Sequence, residues 1–204
     1  MTVPPFEAVL CDVDGVLRHW PSLDEIERAN GLPLGAVAAV ALTGPLAEAA
    51  ITGRTTDEQW RAAVVTELAA AHGSSERAAA AVAAWSAVLP RVDDEVVALL
   101  TGLRGVVPVA LVSNATTRLE ADLARLGLAE VADAVVNTSA LGFAKPDLRV
   151  YAAAAERVGV PPARCLFVDD TEANVVAARE AGMTGLHFRT AADLRGALRL
   201  TGAG

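Results

Sequence analysis

Five short apolar runs rich in β-branched residues mark the chain: AVLCD at 8–12, VPVALVS at 107–113, DAVVNT at 133–138, CLFVDD at 165–170 and TGLHF at 184–188. Stretches of helical length separate the later runs: TTRLEADLARLGL from 116, DLRVYAAAAERVGV from 147 and TEANVVAAREAGM from 171. TAADLRGALRL closes the series from 190. Strand, helix and strand at these spacings predict an α/β fold with a doubly wound, Rossmann-like parallel sheet. We assign residues 1–17 and 93–204 to this core domain.

Residues 18–92 read differently. They contain no convincing strand and are rich in helix starts. Ser22 with Glu25 fits a capping box, Thr56 with Gln59 fits another, and Ser75 with Glu76 opens an alanine run that ends near Leu89. Gly31, Gly44, Gly53 and Gly73 punctuate the segment and Pro90 marks its far side. The pattern predicts an all-helical cap domain inserted into the core.

Composition narrows the setting. The 204 residues suffice for one sizeable core, or for a core with a smaller insertion. The net charge of −8 argues against nucleic acid and anionic membrane surfaces as partners. A mean hydropathy of +0.38 owes much to alanine, as in RAAAAVAAW at 77–85. The longest uncharged stretch, residues 29–47, has the length of a membrane span but is broken by Asn30, Pro33, Gly35, Gly44 and Pro45. The first residues show no basic segment followed by a long apolar one, so no secretion signal is expected and the expected compartment is cytoplasmic. Cys11 and Cys165 each sit in an apolar run and read as small buried hydrophobes.

The candidate chemistry sits where the apolar runs end. An ionised Asp there must be hydrogen-bonded, paired or neutralised, and ligands of parallel sheets bind beyond the carboxyl ends of strands. The first run delivers Asp12 and, just past it, Asp14; the second delivers Ser113 and Asn114; the fourth delivers Asp169 and Asp170. GFAKPD, at 142–147, places Lys145 before a proline that restricts the local backbone. Taken singly, each is ordinary turn or capping chemistry. Four acidic side chains, one hydroxyl and one lysine at one sheet edge need a cation and an anionic substrate to balance them, and Mg²⁺ with a phosphate supplies both.

These residues resemble the motifs of the haloacid dehalogenase-like superfamily, in its phosphatase branch: DVDGV at 12–16, the strand-end Ser113, Lys145 in GFAKPD, and FVDD at 167–170. The resemblance covers essentially the whole chain, because a helical cap between the first and second motifs is the family's first cap type. It implies that Asp12 is the nucleophile, forming an aspartyl phosphate, and that Asp14 protonates the leaving alcohol and then deprotonates water. Ser113 and the backbone N–H of Asn114 would bind phosphate, with Lys145 bridging nucleophile and phosphoryl group. Mg²⁺ would be held by Asp12, the Asp14 carbonyl and the Asp169–Asp170 pair, with Asp170 favoured as direct ligand and Asp169 behind it. Asn174 either braces that loop or is an ordinary first-turn residue.

Dehalogenases of the superfamily lack the second aspartate of the first motif, because a halide leaves without a proton; Asp14 therefore favours phosphate esters. Substrate choice is expected from Arg18, His19 and Trp20 and from Arg54, against simple packing, capping or solvated roles for them and for Trp60. His72 and His187 read as structural. The expected partner is a small phosphorylated metabolite, and the protein is expected to be a monomer or homodimer. Three alternatives remain at this level. A sugar phosphomutase would share Asp12 and Asp14. A receiver domain would place its acidic pair first and have no large insertion. A non-catalytic binding or regulatory protein would not need every one of these positions filled.

Overall fold

The computed structural model describes residues 6–199; residues 1–5 and 200–204 of the expected core, with Leu200 of the last helical pattern, lie outside the described residues. The elements in chain order are β1 (Ala8–Cys11), β2 (Arg18–His19), α1 (Asp24–Ala29), α2 (Ala36–Ala41), α3 (Gly44–Ile51), α4 (Asp57–His72), α5 (Ser75–Ala87) and β3 (Arg91–Val92). They continue with α6 (Asp94–Thr101), β4 (Val109–Ser113), α7 (Leu119–Arg125), β5 (Ala134–Asn137), α8 (Thr138–Leu141), α9 (Leu148–Val158), β6 (Cys165–Asp169), α10 (Glu172–Glu180), β7 (Thr184–His187) and α11 (Ala191–Arg199).

Five strands form one parallel sheet in the order β5-β4-β1-β6-β7, the doubly wound arrangement the sequence predicts. β1, β4 and β6 are buried at every position, and the period of two sorts their side chains between two apolar layers. Val9, Val109, Leu111, Leu166 and Val168 meet Val96 and Leu100 of α6, Leu119 and Leu123 of α7 and Leu194 of α11. Ala8, Leu10, Ala110, Val112 and Phe167 meet Val150, Tyr151 and Ala154 of α9 and Ala177 and Ala178 of α10. Helices on both faces explain why these strands are continuous apolar runs with no polar alternation. The chain leaves β1 towards β4 and β5, then crosses back to β6 and β7 on its other side. A crevice for a ligand therefore opens beyond the carboxyl ends of β1 and β6.

Between β2 and β3 the chain is helical, with a third apolar cluster of its own that includes Val37, Trp60, Val64, Leu68, Ala81 and Val82. The Thr56 box forms in full: Gln59 N–H donates to the Thr56 hydroxyl at 3.3 Å and Thr56 N–H to Gln59 Oε1 at 3.0 Å. The Ser22–Glu25 box does not. Leu23 is the N-cap of α1, and the Ser22 hydroxyl is bonded instead to Asp24. Ser74, one residue before the expected start, caps α5. Two further departures are local. α6, capped by Asp93, which accepts from Val96 N–H at 3.1 Å, is a helix that the pattern above does not include, and a two-residue antiparallel ladder, β2 with β3, stands at the ends of a segment expected to lack strands.

Buried Glu27 accepts from Gly35 N–H at 2.6 Å and Val37 N–H at 2.9 Å, fixing the start of α2. The helices meet the sheet layer through hydrogen bonds: Thr116 Oγ1 donates to Asp57 Oδ1 (2.8 Å), Asp57 N–H to Thr117 Oγ1 (3.0 Å), Thr138 Oγ1 to the Ile51 carbonyl (2.7 Å) and Arg118 to the Ser86 carbonyl (3.1 Å). Residues 29–47 hold α2 and the first half of α3. Among the described residues no helix is long and apolar enough to cross a membrane. Cys11 and Cys165 are free buried thiols, and burial pushes both up, Cys165 to about 11.

Candidate active site

Asp12 follows β1 and Asp169 ends β6, adjacent strands at the reversal of sheet order. Lys145, from the loop before α9, reaches between them. Its Nζ lies 2.9 Å from Asp12 Oδ1, 2.7 Å from Asp169 Oδ2 and 3.0 Å from the Val112 carbonyl. All three side chains are buried, so one ammonium serves two carboxylates where water cannot. Val13 N–H donates to Asp12 Oδ1 at 2.7 Å. Asp169 also accepts from Asn174 Nδ2, at 3.0 and 3.1 Å, and from Thr171 N–H at 2.9 Å. Tyr151 anchors this bracket by donating to the Asn174 carbonyl at 2.8 Å. Of the two readings for Asn174, the structure shows the bracing one.

Burial pushes the Asp12 carboxyl up, to about 7; the nearby Lys145 ammonium opposes the rise and the Asp169 carboxylate adds to it. Lys145 is itself held above the usual ammonium range by its two carboxylates, which outweigh its burial. Asp170, one residue on, is exposed, and its backbone carbonyl contacts His187 Nε2 at 2.9 Å. His187, read from sequence as structural, thus steadies the backbone of an acidic residue at the site. Asp12, Asp169 and Asp170 each offer an oxygen within 4.8 Å of the others. Three carboxylates face one ammonium here, and an all-oxygen set with uncompensated negative charge suits a hard divalent cation.

Gly15 makes this closeness possible. Its φ of +85° is left-handed, and a Cβ there would overlap the Asp170 carboxylate. Gly15→Ala is expected to cost about 1–2 kcal/mol from backbone strain alone, seen as a melting temperature lowered by roughly 2–8 °C. Melting at the wild-type temperature would mean that the turn relaxes freely.

Asp14 points elsewhere than the other acids. Arg18 Nε donates to its Oδ1 at 2.8 Å and Trp20 Nε1 to the same oxygen at 2.6 Å. Asn114 is clamped to the Lys145 backbone by two hydrogen bonds, at 2.8 and 2.9 Å. Asp12, Asp14, Ser113, Asn114, Lys145 and Asp170 all line one cavity of about 330 Å³. Asp14 and Asn114 also line a second, larger cavity of about 670 Å³ between the sheet edge and the helices. Arg18, Trp20 and Trp60 reach that larger cavity. His19 instead faces Asp93 at 3.7 Å, and Arg54 pairs with Glu48 on the surface; neither lines either cavity. Sequence reasoning missed Trp85, Asp57 and Thr116, which do line the larger one.

The profile of the haloacid dehalogenase-like hydrolases matches residues 6–182. A phosphatase of Mycobacterium tuberculosis is 46% identical over 56 residues, covering 28% of this chain and 26% of that protein. The fructose-1-phosphate phosphatase YqaB of Escherichia coli is 39% identical over 70 residues, covering 34% and 37%. The chain thus spans from about a quarter to just over a third of the length of these curated relatives. A solved haloacid dehalogenase family enzyme of Bacteroides thetaiotaomicron, in complex with magnesium and inorganic phosphate, superposes with a TM-score of 0.70 at 20% identity, covering 88% of this chain and 92% of that one. The acids gathered beyond β1 and β6, the lysine between them and a profile match over most of the length agree: the chain belongs to the haloacid dehalogenase-like hydrolase family.

Proposed function

We propose that the protein is a Mg²⁺-dependent phosphatase that hydrolyses a small phosphate ester through an aspartyl-phosphate intermediate. The arrangement of Asp12, Lys145 and Asp169, with Asp170 and Ser113 on the same cavity, carries the reading. Asp12 attacks phosphorus and Lys145 neutralises charge on both the nucleophile and the transferring group. Ser113, ending β4 beside Asn114, donates to the phosphoryl oxygens. Asp14, on both cavities, stands where a leaving oxygen would pass from one to the other; it gives that oxygen a proton and later takes one from the attacking water.

Mg²⁺ would be held by Asp12, the Asp14 carbonyl and Asp170, and when bound it offsets the charge of the carboxylates and of the phosphoryl oxygens. Asp169, already accepting from Lys145, Asn174 and Thr171, positions these groups from behind. The phosphatase names of two partial relatives support this activity, as does Asp14, which a halide leaving group would not need. The inserted helices act as the cap over the leaving group, joined to a core formed by the sheet and its flanking helices.

A panel of phosphate esters assayed with and without Mg²⁺ tests the reading; no Mg²⁺-dependent release of phosphate from any ester would overturn it. Asp170→Ala is expected to raise the Mg²⁺ concentration for half-maximal activity by about tenfold or more. An unchanged midpoint would assign the direct contact to Asp169 instead.

A further inference from the structure

The larger cavity is built unlike a site for a sugar. All three tryptophans of the chain, Trp20, Trp60 and Trp85, line it, in a protein whose aromatic content is only 4%. Trp60 and Trp85 meet edge to face, with ring centroids 5.3 Å apart, and Leu42, Ile51 and Leu119 continue the apolar wall. Most of the charged residues on that wall are paired with one another, and Asp24 is bound to Ser22 and to Arg28. Arg18 is bound to Asp14 at 2.8 Å, Arg61 to Asp57 at 2.7 Å and Arg118 to Asp122 at 2.9 Å, while Glu27 is spent on two backbone N–H groups. A polyol entering here would lose its water and would find most of the wall's donors taken, Arg18 Nη1 and Trp60 Nε1 being buried donors without a partner among the described residues. An apolar alcohol would gain burial without breaking any of these pairs.

We propose that this cavity is the leaving-group subsite and that the substrate class is the phosphate monoester of a bulky apolar alcohol. The inference rests on the phosphatase reading above. Two observations carry it further. Asp14 and Asn114 line both cavities, so the larger space adjoins the one where phosphorus would sit. Its volume of about 670 Å³ falls within the size range that buries most of a drug-sized ligand.

A homologous series tests the proposal without altering the leaving-group chemistry. From n-butyl to n-octyl phosphate, kcat/KM is expected to rise by roughly threefold per methylene, about eightyfold in all, with glycerol 3-phosphate and glucose 6-phosphate well below octyl phosphate. Ala38→Phe, on the cavity wall at a half-buried position, should cut the octyl-to-butyl ratio at least tenfold. Ala47→Phe serves the same purpose if the first variant melts early.

Octylphosphonate, which cannot be hydrolysed, gives a second readout. Because every tryptophan lines the cavity, intrinsic fluorescence should shift saturably, and at lower concentration than with butylphosphonate. Ester hydrolysis with an octyl-to-butyl ratio near one, or faster with the sugar phosphate, overturns the subsite assignment and leaves the phosphatase reading intact. Chain-length-dependent binding of the phosphonates with no hydrolysis of any ester overturns the phosphatase reading and supports the apolar subsite. Absence of any fluorescence shift overturns the subsite.

Discussion

Asp12→Asn is expected to lower Mg²⁺-dependent turnover by roughly a thousandfold or more, with the melting temperature unchanged or raised. As the proposed nucleophile, Asp12 is the one group whose chemistry no neighbour could replace, and removing it would cost the whole covalent route rather than a fraction of it. Lys145 and the neighbouring donors keep their places, because an amide oxygen at the same position still accepts from Val13 N–H and from Lys145 Nζ. Charge also favours the folded variant. Two buried carboxylates share one ammonium in the wild type, and the substitution leaves Lys145 matched one to one with Asp169. A phosphate-release assay beside a thermal melt checks both halves. Substantial residual turnover would remove Asp12 from the nucleophile's role.

Lys145→Met should act in the opposite sense on stability. It leaves Asp12 and Asp169 buried with no cation between them, a loss on the order of 3–5 kcal/mol, equivalent to a fall of roughly 6–20 °C in melting temperature. The deficit should depend on pH. In the wild type the Asp12 carboxyl is already pushed up to about 7, from an unfolded value near 3.9, and losing the ammonium that opposes the rise pushes it higher. A carboxyl raised on folding binds protons more tightly in the native state, so its effect is favourable at low pH and is lost as pH rises through the folded value. Melts in the presence of a chelator should therefore show a small deficit near pH 5 and a large one near pH 8. A deficit constant across that range would show that Asp12 does not change its charge there.

The sheet was legible in sequence because β1, β4 and β6 lie between two helical layers, and burial on both faces leaves an unbroken apolar run with its polar residue at the end. That rule alone picks out Asp12, Ser113 and Asp169 as candidates. The box at Thr56 was legible because both of its hydrogen bonds are local. At Ser22 the same local pattern failed because Leu23 takes the capping position and Asp24 captures the hydroxyl. Tertiary partners were out of reach. Asp57 looks like an ordinary first-turn acid of α4, yet it is buried and accepts from Thr116, 59 residues away along the chain. Trp85 ends a run of alanines with too little contrast to give the helix a phase, so nothing in the sequence said that it would meet Trp60. Asp14 could be assigned to the site but not its grip by Arg18 and Trp20, which depends on the chain folding back through β2.

The short ladder of β2 and β3 has a bearing on how the chain can be assembled and altered. Arg18 pairs with Val92, His19 with Arg91, and Asp93 N–H donates to the Leu17 carbonyl at 3.0 Å. The path out of the sheet layer and the path back thus run side by side, so the helices between them form a loop whose mouth is closed by the ladder itself. The entropy of closing such a loop grows only as the logarithm of its length. Exchanging these helices for a longer or shorter set would therefore change the closure entropy by little, provided the paired residues remain and partners are kept for Thr116, Thr117, Arg118 and Thr138. A fold joined in this way can change what it receives while leaving the residues that react with it where they are.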